Sequence, residues 1–564
     1  QIVGVSAHAD GMYKAGVALA TLPQASCKLH AVVAVRSVRF ARLRRHFPPP
    51  ALDGSVNKTA AIKEVAALES WSRNGGAELG SVRIGVAAGG KGLGVLALRA
   101  FAKGEVVVAI PRRVCLEIPF TSPEEHTASK LQDKPLAQAA GGRCGEWYDV
   151  LGSEAGRSAV VEAAAQLLSE RKAGAESPFS AYCGALLGLP PLLHPLALEP
   201  WPSALTSCSP LLARLYREAS ECNAASLEQL TAHPSAHNTD NILQRWALAA
   251  VVTRNFALKK PPQGLAMLPC LDLLNHCSAW SGRPQWTCSF QERGDVLAMV
   301  ADRSIAQGEE LTHLYSLGCD AALLCQYGIA SQMPATNIYN VVGLPVPPGA
   351  IREAPGGSEA LPGPSVPAAP PGLVAARAGA LRSWGWENQE VPLLFSLPRD
   401  LHLGQQGRSG NGAGSTLIAV ARLLALDSSE AVEAWEPQLR SHCHGSAAVA
   451  RELGPVVEHR AWQLIEGWIC AALEHAEASI QDLTPDQVSS SVDIGPRPEG
   501  PGPTLKEAVT AIVIGEAVIL EEALRFAQQR ALGAEILLQG GISHGASHGC
   551  EPRSTAGETR RRRR

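Results

Sequence analysis

Apolar and polar positions along this chain follow two rhythms. Ile62, Val65, Ala66, Leu68 and Trp71 recur at helical spacing over 62–74, and Gly75-Gly76 stops the helix they predict. The rhythm then shortens. Residues 82–86, 95–99 and 106–111 are short apolar runs rich in Val. They are separated by turns at Gly89-Gly90-Lys91-Gly92-Leu93-Gly94 and at Ala102-Lys103-Gly104-Glu105, which predicts a series of β-hairpins. From 115 to about 255 the helical rhythm returns. Residues 159–171 and 211–221 are amphipathic, Pro210 suits the start of the second, and 243–254 is apolar almost to its end, as a buried helix would be. Residues 285–291 and 294–300 predict a further hairpin. After Val342 the chain is rich in Pro, Gly and Ala to about 372, and 404–414 is a second Gly-rich tract; both read as linkers or flexible insertions. Between them, 373–386 reads as a helix and 391–397 as a strand. The amphipathic stretches 416–426, 455–478 and 505–529 then predict an all-helical second domain.

One stretch breaks both rhythms. Leu268-Pro269-Cys270-Leu271-Asp272-Leu273-Leu274 is mostly apolar and ends abruptly in Asn275-His276. About forty residues on, a β-like run through Gly308-Glu309-Glu310-Leu311 ends in Tyr315, and Tyr327-Gly328 follows. Polar groups at the edge of an apolar wall, with phenols nearby, orient a small polar ligand in a largely apolar pocket. Asn275 or His276 taken alone reads equally as a core polar group satisfied by backbone. Arg254, at the end of an apolar helix, either complements the helix dipole or brings a guanidinium suited to a carboxylate. The glycines at 89–94 lie between strands rather than between strand and helix, so they are not a dinucleotide or P-loop fingerprint. Glycine there lets backbone approach a ligand closely.

Composition narrows the classes. The 564 residues exceed one ordinary core, and a hydrophobic content of 46% is globular. A net charge of −3 gives no reason to expect nucleic-acid binding. The 14 cysteines are scattered with no Cys-x-x-Cys pair, which reads as reduced thiols in an intracellular compartment and no metal site. No apolar run is long enough to predict a membrane span. Residues 1 to about 50 carry Arg36, Arg39, Arg42, Arg44 and Arg45 against the single acid Asp10, the composition of an organelle transit peptide or of a disordered basic tail. The terminal run 560–564 reads as a solvated tail.

In order and spacing, the glycine hairpin, the Asn275-His276 pair and the tyrosine-bearing block resemble the SET-domain protein methyltransferases. The closer likeness is to the branch holding the Rubisco large-subunit lysine methyltransferases and the actin-histidine methyltransferases. Gly515-Glu516-Ala517-Val518-Ile519-Leu520 is similar to a Gly-Glu-x-x-x-Leu signature near the end of that branch's substrate-binding domain. The resemblance implies an α+β fold: small SET-type β-sheets with a helical insert, then a mostly α-helical substrate-binding domain. It divides the chain into a basic segment at 1–60, the SET domain at 61–340 with its insert at about 115–255, insertions at 341–414, the helical domain at 415–535 and a disordered tail at 536–564. In that family the Asn-His segment threads under a loop.

The resemblance further implies S-adenosyl-L-methionine as cofactor. Lys91, Gly92, Leu93, Arg254, Asn275, His276 and Tyr327 would lie at the cofactor and Tyr315 would be the catalytic residue, with no metal. The partner is a protein side chain, and the chain acts as a monomer without nucleic acid or membrane. The leading expectation is lysine methylation of a chloroplast enzyme such as the Rubisco large subunit or aldolase. The alternatives are histidine methylation of an actin-like substrate in cytoplasm or nucleus, or a binding module that has lost catalysis. The last draws on Ser316, Asp320 and Ala322, which depart from the family's usual residues after the tyrosine.

Overall fold

A computed structural model describes residues 58–87, 93–120, 154–187, 193–198, 200–260, 263–277, 286–316, 318–329, 337, 340–346, 370–384, 393–398, 413–442, 448–483 and 504–544. All lie in one compact unit spanning 54–564. The basic segment at 1–50, the arginine tail, and Lys91 and Gly92 lie outside the described residues.

Helix α1 (Lys58–Asn74) ends at the glycine pair, where Gly76 takes φ +91°. Strands β1 (Val82–Val86) and β2 (Leu93–Ala97) pair antiparallel with Val86 opposite Leu93. β3 (Val106–Pro111) and β4 (Leu116–Pro119) follow. Next come α2 (Glu154–Ala173), α3 (Ser180–Leu187), the single turn α4 (Ser203–Thr206), α5 (Pro210–Ala232) and α6 (Asn241–Arg254). Two of these starts have visible causes. The Ser209 hydroxyl accepts from the Leu212 N–H at 3.0 Å to cap α5, with Pro210 in its first turn. The Asp240 carboxylate does the same for α6 at the Ile242 N–H, 2.9 Å.

The region 115–255 is not wholly helical. β4 opens it, β5 (Asn255–Leu258) begins directly where α6 ends, and both pair with β6 (Gly264–Met267). These strands are four residues each, too short to show a period. Gly264 is a glycine of necessity, since a Cβ there would run into the Ile118 carbonyl across the sheet.

The expected hairpin appears as β8 (Cys288–Arg293) and β9 (Val296–Ala301), turning at Gly294 with φ +62°. β7 (Asn275–His276) and β10 (Glu310–His313) lie on either side of it in sequence, and α7 (Asp320–Tyr327) follows. Three small sheets result, ordered β1-β2-β10-β7, β3-β9-β8 and β4-β6-β5. All their pairings are antiparallel except β10 with β7. Ile110, Leu116, Leu167, Leu248, Leu271 and Leu297 belong to one buried cluster that joins the sheets to α2 and α6.

Beyond α7 the described residues are largely helical: α8 (Pro371–Ser383), α9 (Ala413–Ala425), α10 (Ser429–His442), α11 (Ala448–Leu483) and α12 (Leu505–His544). α11 and α12 pack along each other, and Gly454 (φ +80°) before Pro455 kinks α11. A buried Arg422–Glu458 pair at 2.6 and 3.0 Å ties α9 to α11. Two features differ from the sequence reading. β11 (Val341–Val346) forms where a linker was expected to begin, because it pairs with β12 (Leu393–Pro398). α10, with Pro437 inside it, is absent from the sequence reading, although Val432, Trp435 and Leu439 recur at helical spacing and Val432 and Leu439 are buried. Glu516 on α12 accepts from the Ser209 hydroxyl at 2.7 Å, tying α12 to the start of α5. Among the described residues no helix is long and apolar enough to cross a membrane, and no group of three His, Cys, Asp or Glu side chains is placed to hold a metal.

Candidate active site

β10 is the strand that assembles the site. It pairs antiparallel with β2 through Glu310 opposite Leu96, and parallel with β7 through Thr312 opposite Asn275 and His313 opposite His276. The start of β2 and the Asn-His pair therefore stand on either side of one strand. The Asn275 amide donates to the Leu93 carbonyl at 3.1 Å and to Glu310 Oε1 at 2.8 Å. Gly94 leaves room for this meeting: a Cβ there would stand 2.8 Å from Asn275 Nδ2 and 3.1 Å from Glu310 Oε1.

Two residues past β10, the Tyr315 N–H donates to His276 Nδ1 at 3.2 Å, and the Tyr315 hydroxyl donates to the Leu274 carbonyl at 2.6 Å. The first bond leaves the His276 ring proton on Nε2. Tyr315 is surrounded by rings, with His313 at 4.7 Å, Tyr327 at 5.3 Å and His276 at 5.4 Å between centroids, and Phe256 stacks on His313 at 5.3 Å. Burial pushes the Tyr315 phenol far above its ordinary value; Arg254 opposes this and Asp272 and Glu310 add to it. Tyr315 therefore keeps its proton at neutral pH. Burial lowers His313 to about 4, so that imidazole is neutral.

Behind the rim lies a buried polar group. Asp272 sits in the 3₁₀ turn Leu271–Leu273, entered through Cys270, whose φ of +71° is rare for a residue with a side chain. Tyr182 donates to Asp272 Oδ2 at 2.7 Å, while Oδ1 has no hydrogen-bond partner among the described residues. Arg254 Nη1 donates to the Asp272 backbone carbonyl at 3.0 Å. Burial raises Asp272 to about 6, with the Arg254 charge pulling the other way.

The structure thus brings together Leu93, Arg254, Asn275, His276, Tyr315 and Tyr327 from five separate stretches. All but Tyr327, which is buried, are partly exposed. Asp320, one of the departures from the family pattern, is held by hydrogen bonds: its N–H donates to Asn340 Oδ1 at 2.7 Å, and its carboxylate accepts from Asn337 at 3.0 Å and Asn340 at 2.8 Å. It anchors the start of α7. Sequence reasoning singled out neither Glu310 and His313 nor the buried pair Tyr182–Asp272, and took Gly94 only as one glycine of the turn at 89–94. Glu310 reads as an ordinary turn acid after Gly308, and only the β10 register exposes its role.

The SET domain family model matches residues 92–316, so this part of the chain has the SET fold. Among solved structures, Rubisco LSMT bound to AdoMet is similar at 16% identity over 86% of this chain and 97% of that one, with a TM-score of 0.50. The SET domain of LSMT bound to lysine and AdoHcy is similar at 15% identity over 86% and 97%, with a TM-score of 0.49. No curated protein sequence matches the chain.

Proposed function

We propose that this chain, which holds a SET domain at 92–316, is an S-adenosyl-L-methionine-dependent protein N-methyltransferase whose acceptor is lysine. The observation that carries the reading is the convergence of the Leu93 carbonyl, the Asn275 amide, His276 and Tyr315 about β10. That Rubisco LSMT is bound to AdoMet in a structure of the same fold supports it.

The residues present fit the cofactor. Gly94 keeps the backbone open where a side chain would collide. Asn275 and His276 present polar edges at the rim, and Arg254 brings a positive charge to it suited to a carboxylate. When bound, the cofactor supplies an electrophilic methyl group on a cationic sulfonium. The chain's task is then positioning and charge, because an in-line displacement gains most from orientation.

Tyr315 holds its ring against the rim by two hydrogen bonds, one through its backbone N–H and one through its hydroxyl. Its proton is committed to the Leu274 carbonyl, so its role is to orient and to stabilise positive charge with oxygen lone pairs and ring face, not to accept a proton. The neutral His313 ring and Tyr327 pack around it and exclude water. A free lysine titrates at about 10.4, so desolvation on entry has to lower that value and the acceptor releases its proton to bulk water.

The substrate we propose is a plastid enzyme such as the Rubisco large subunit or aldolase, in the chloroplast. The arginine-rich, acid-poor segment at 1–50 supports that address. The test is incubation with methyl-labelled S-adenosylmethionine and fractionated plastid and cytosolic extracts, followed by mass spectrometry of the labelled residue. Label on a plastid lysine supports the reading. Label on histidine changes the acceptor, and cofactor binding without transfer to any fraction refutes catalysis.

A further inference from the structure

Asn275 is held by an unusual pair of neighbours. Both groups its amide touches, the Leu93 carbonyl at 3.1 Å and Glu310 Oε1 at 2.8 Å, are acceptors only. A side-chain amide has one donor end and one acceptor end, and its neighbours decide which faces where. Leu93 alone would fix one N–H. Glu310 takes the second, so both protons of Nδ2 are committed. Among the described residues nothing donates to Oδ1, and Asn275 is partly exposed.

We infer that Glu310 is a positioning residue: it locks the Asn275 amide with Oδ1 outward, so that the site requires a hydrogen-bond donor of the bound cofactor at that point. This rests on the cofactor reading above and adds a residue and a polarity to it. The lock depends on Gly94, the small residue across which the Asn275 amide and the Glu310 carboxylate meet; a methyl group there would press on both, at 2.8 and 3.1 Å. S-adenosylmethionine offers such donors in its ammonium, its exocyclic amine and its ribose hydroxyls, and none in its carboxylate. Without Glu310 the amide loses one of its two anchors and is free to rotate, and its donor end then meets the ligand's donor.

Titration calorimetry of the full chain with S-adenosylhomocysteine and with 5′-methylthioadenosine, which lacks the amino-acid portion, tests this. Glu310→Ala is expected to weaken S-adenosylhomocysteine about tenfold, the scale of one hydrogen bond to a charged or polar ligand group. Glu310→Gln, which keeps an acceptor oxygen, is expected to recover most of that loss at an unchanged melting temperature. Gly94→Ala perturbs the same contact from the other side and is expected to produce a similar loss. A parallel loss with 5′-methylthioadenosine places the donor on the nucleoside; a loss confined to S-adenosylhomocysteine places it on the ammonium. Either result supports the lock. Affinity within about twofold of wild type in Glu310→Ala, or equal losses in the Ala and Gln variants, overturns it. Failure of the wild type to bind either compound overturns the cofactor reading itself.

Discussion

Asp272 offers the sharpest thermodynamic test of the site's construction. Burial lifts its carboxyl from an ordinary 3.8 to about 6. A group whose value is raised on folding stabilises the fold when protonated, and that contribution is lost as pH climbs from the unfolded value through the folded one. The shift is roughly two units, so the ionised carboxylate costs the folded state about 3 kcal/mol at pH 8. The cost falls to about half near pH 5 and closes below pH 4. Asp272→Asn keeps the shape and retains an acceptor for the Tyr182 hydroxyl, which now donates to Oδ2 at 2.7 Å. Its NH₂ takes the place of Oδ1, which has no partner among the described residues; the protonated acid strands a group there too, so variant and wild type converge in acid. The Arg254 attraction is already contained in that net shift. The expected outcome is a variant more stable than wild type by about 1–3 kcal/mol at pH 8, with the gap narrowing steadily toward pH 4. Urea unfolding followed by tryptophan fluorescence at pH 4.5, 6 and 8 reads it, provided the urea dependence is unchanged. A variant less stable than wild type at pH 8, or a gap indifferent to pH, would show that the Arg254 charge outweighs desolvation and refute the reasoning.

Three further outcomes are expected. Tyr315→Phe removes the hydroxyl bonded to the Leu274 carbonyl at 2.6 Å; turnover should fall more than about tenfold while cofactor affinity, read by calorimetry, stays near wild type. Wild-type turnover would remove Tyr315 from the chemistry. Ser209→Ala strips the cap from α5 and the donor from buried Glu516, together about 2–4 kcal/mol; a melting temperature within a degree of wild type would mean that the tie carries no stability. Gly328→Ala places a side chain at φ +67° and 2.8 Å from the His194 nitrogen, so it should cost at least about 1–3 kcal/mol in a thermal unfolding scan, and a silent substitution would contradict that crowding.

Much of the helical frame was legible because it rests on local pattern. α5 begins at Pro210 and α6 ends at Arg254, as the apolar spacing implied. β1 and β3 keep their expected bounds. The elements that escaped are those made by pairing. β6 is buried along its whole length, so it shows no alternation. β11 contains Gly343 and Pro345, which argue against a strand until β12 is placed beside it. The site divides the same way. Asn275, His276 and Tyr315 stood out by their abrupt polarity. Glu310 and Gly94 gain meaning only from the order β2-β10-β7, and Asp272 only from Tyr182, ninety positions earlier in the chain.

That strand order also governs when the molecule becomes competent. Leu93 and Asn275, 182 positions apart, are bonded to each other, yet the strand between them comes later than both. No contiguous fragment ending before Glu310 can contain the corner where Leu93, Asn275 and Glu310 meet, and pairings this remote form slowly. A ligand that grips only the finished corner therefore favours the fully folded chain by mass action. Added during refolding, it would report the arrival of the last strand and trap the completed protein against unravelling.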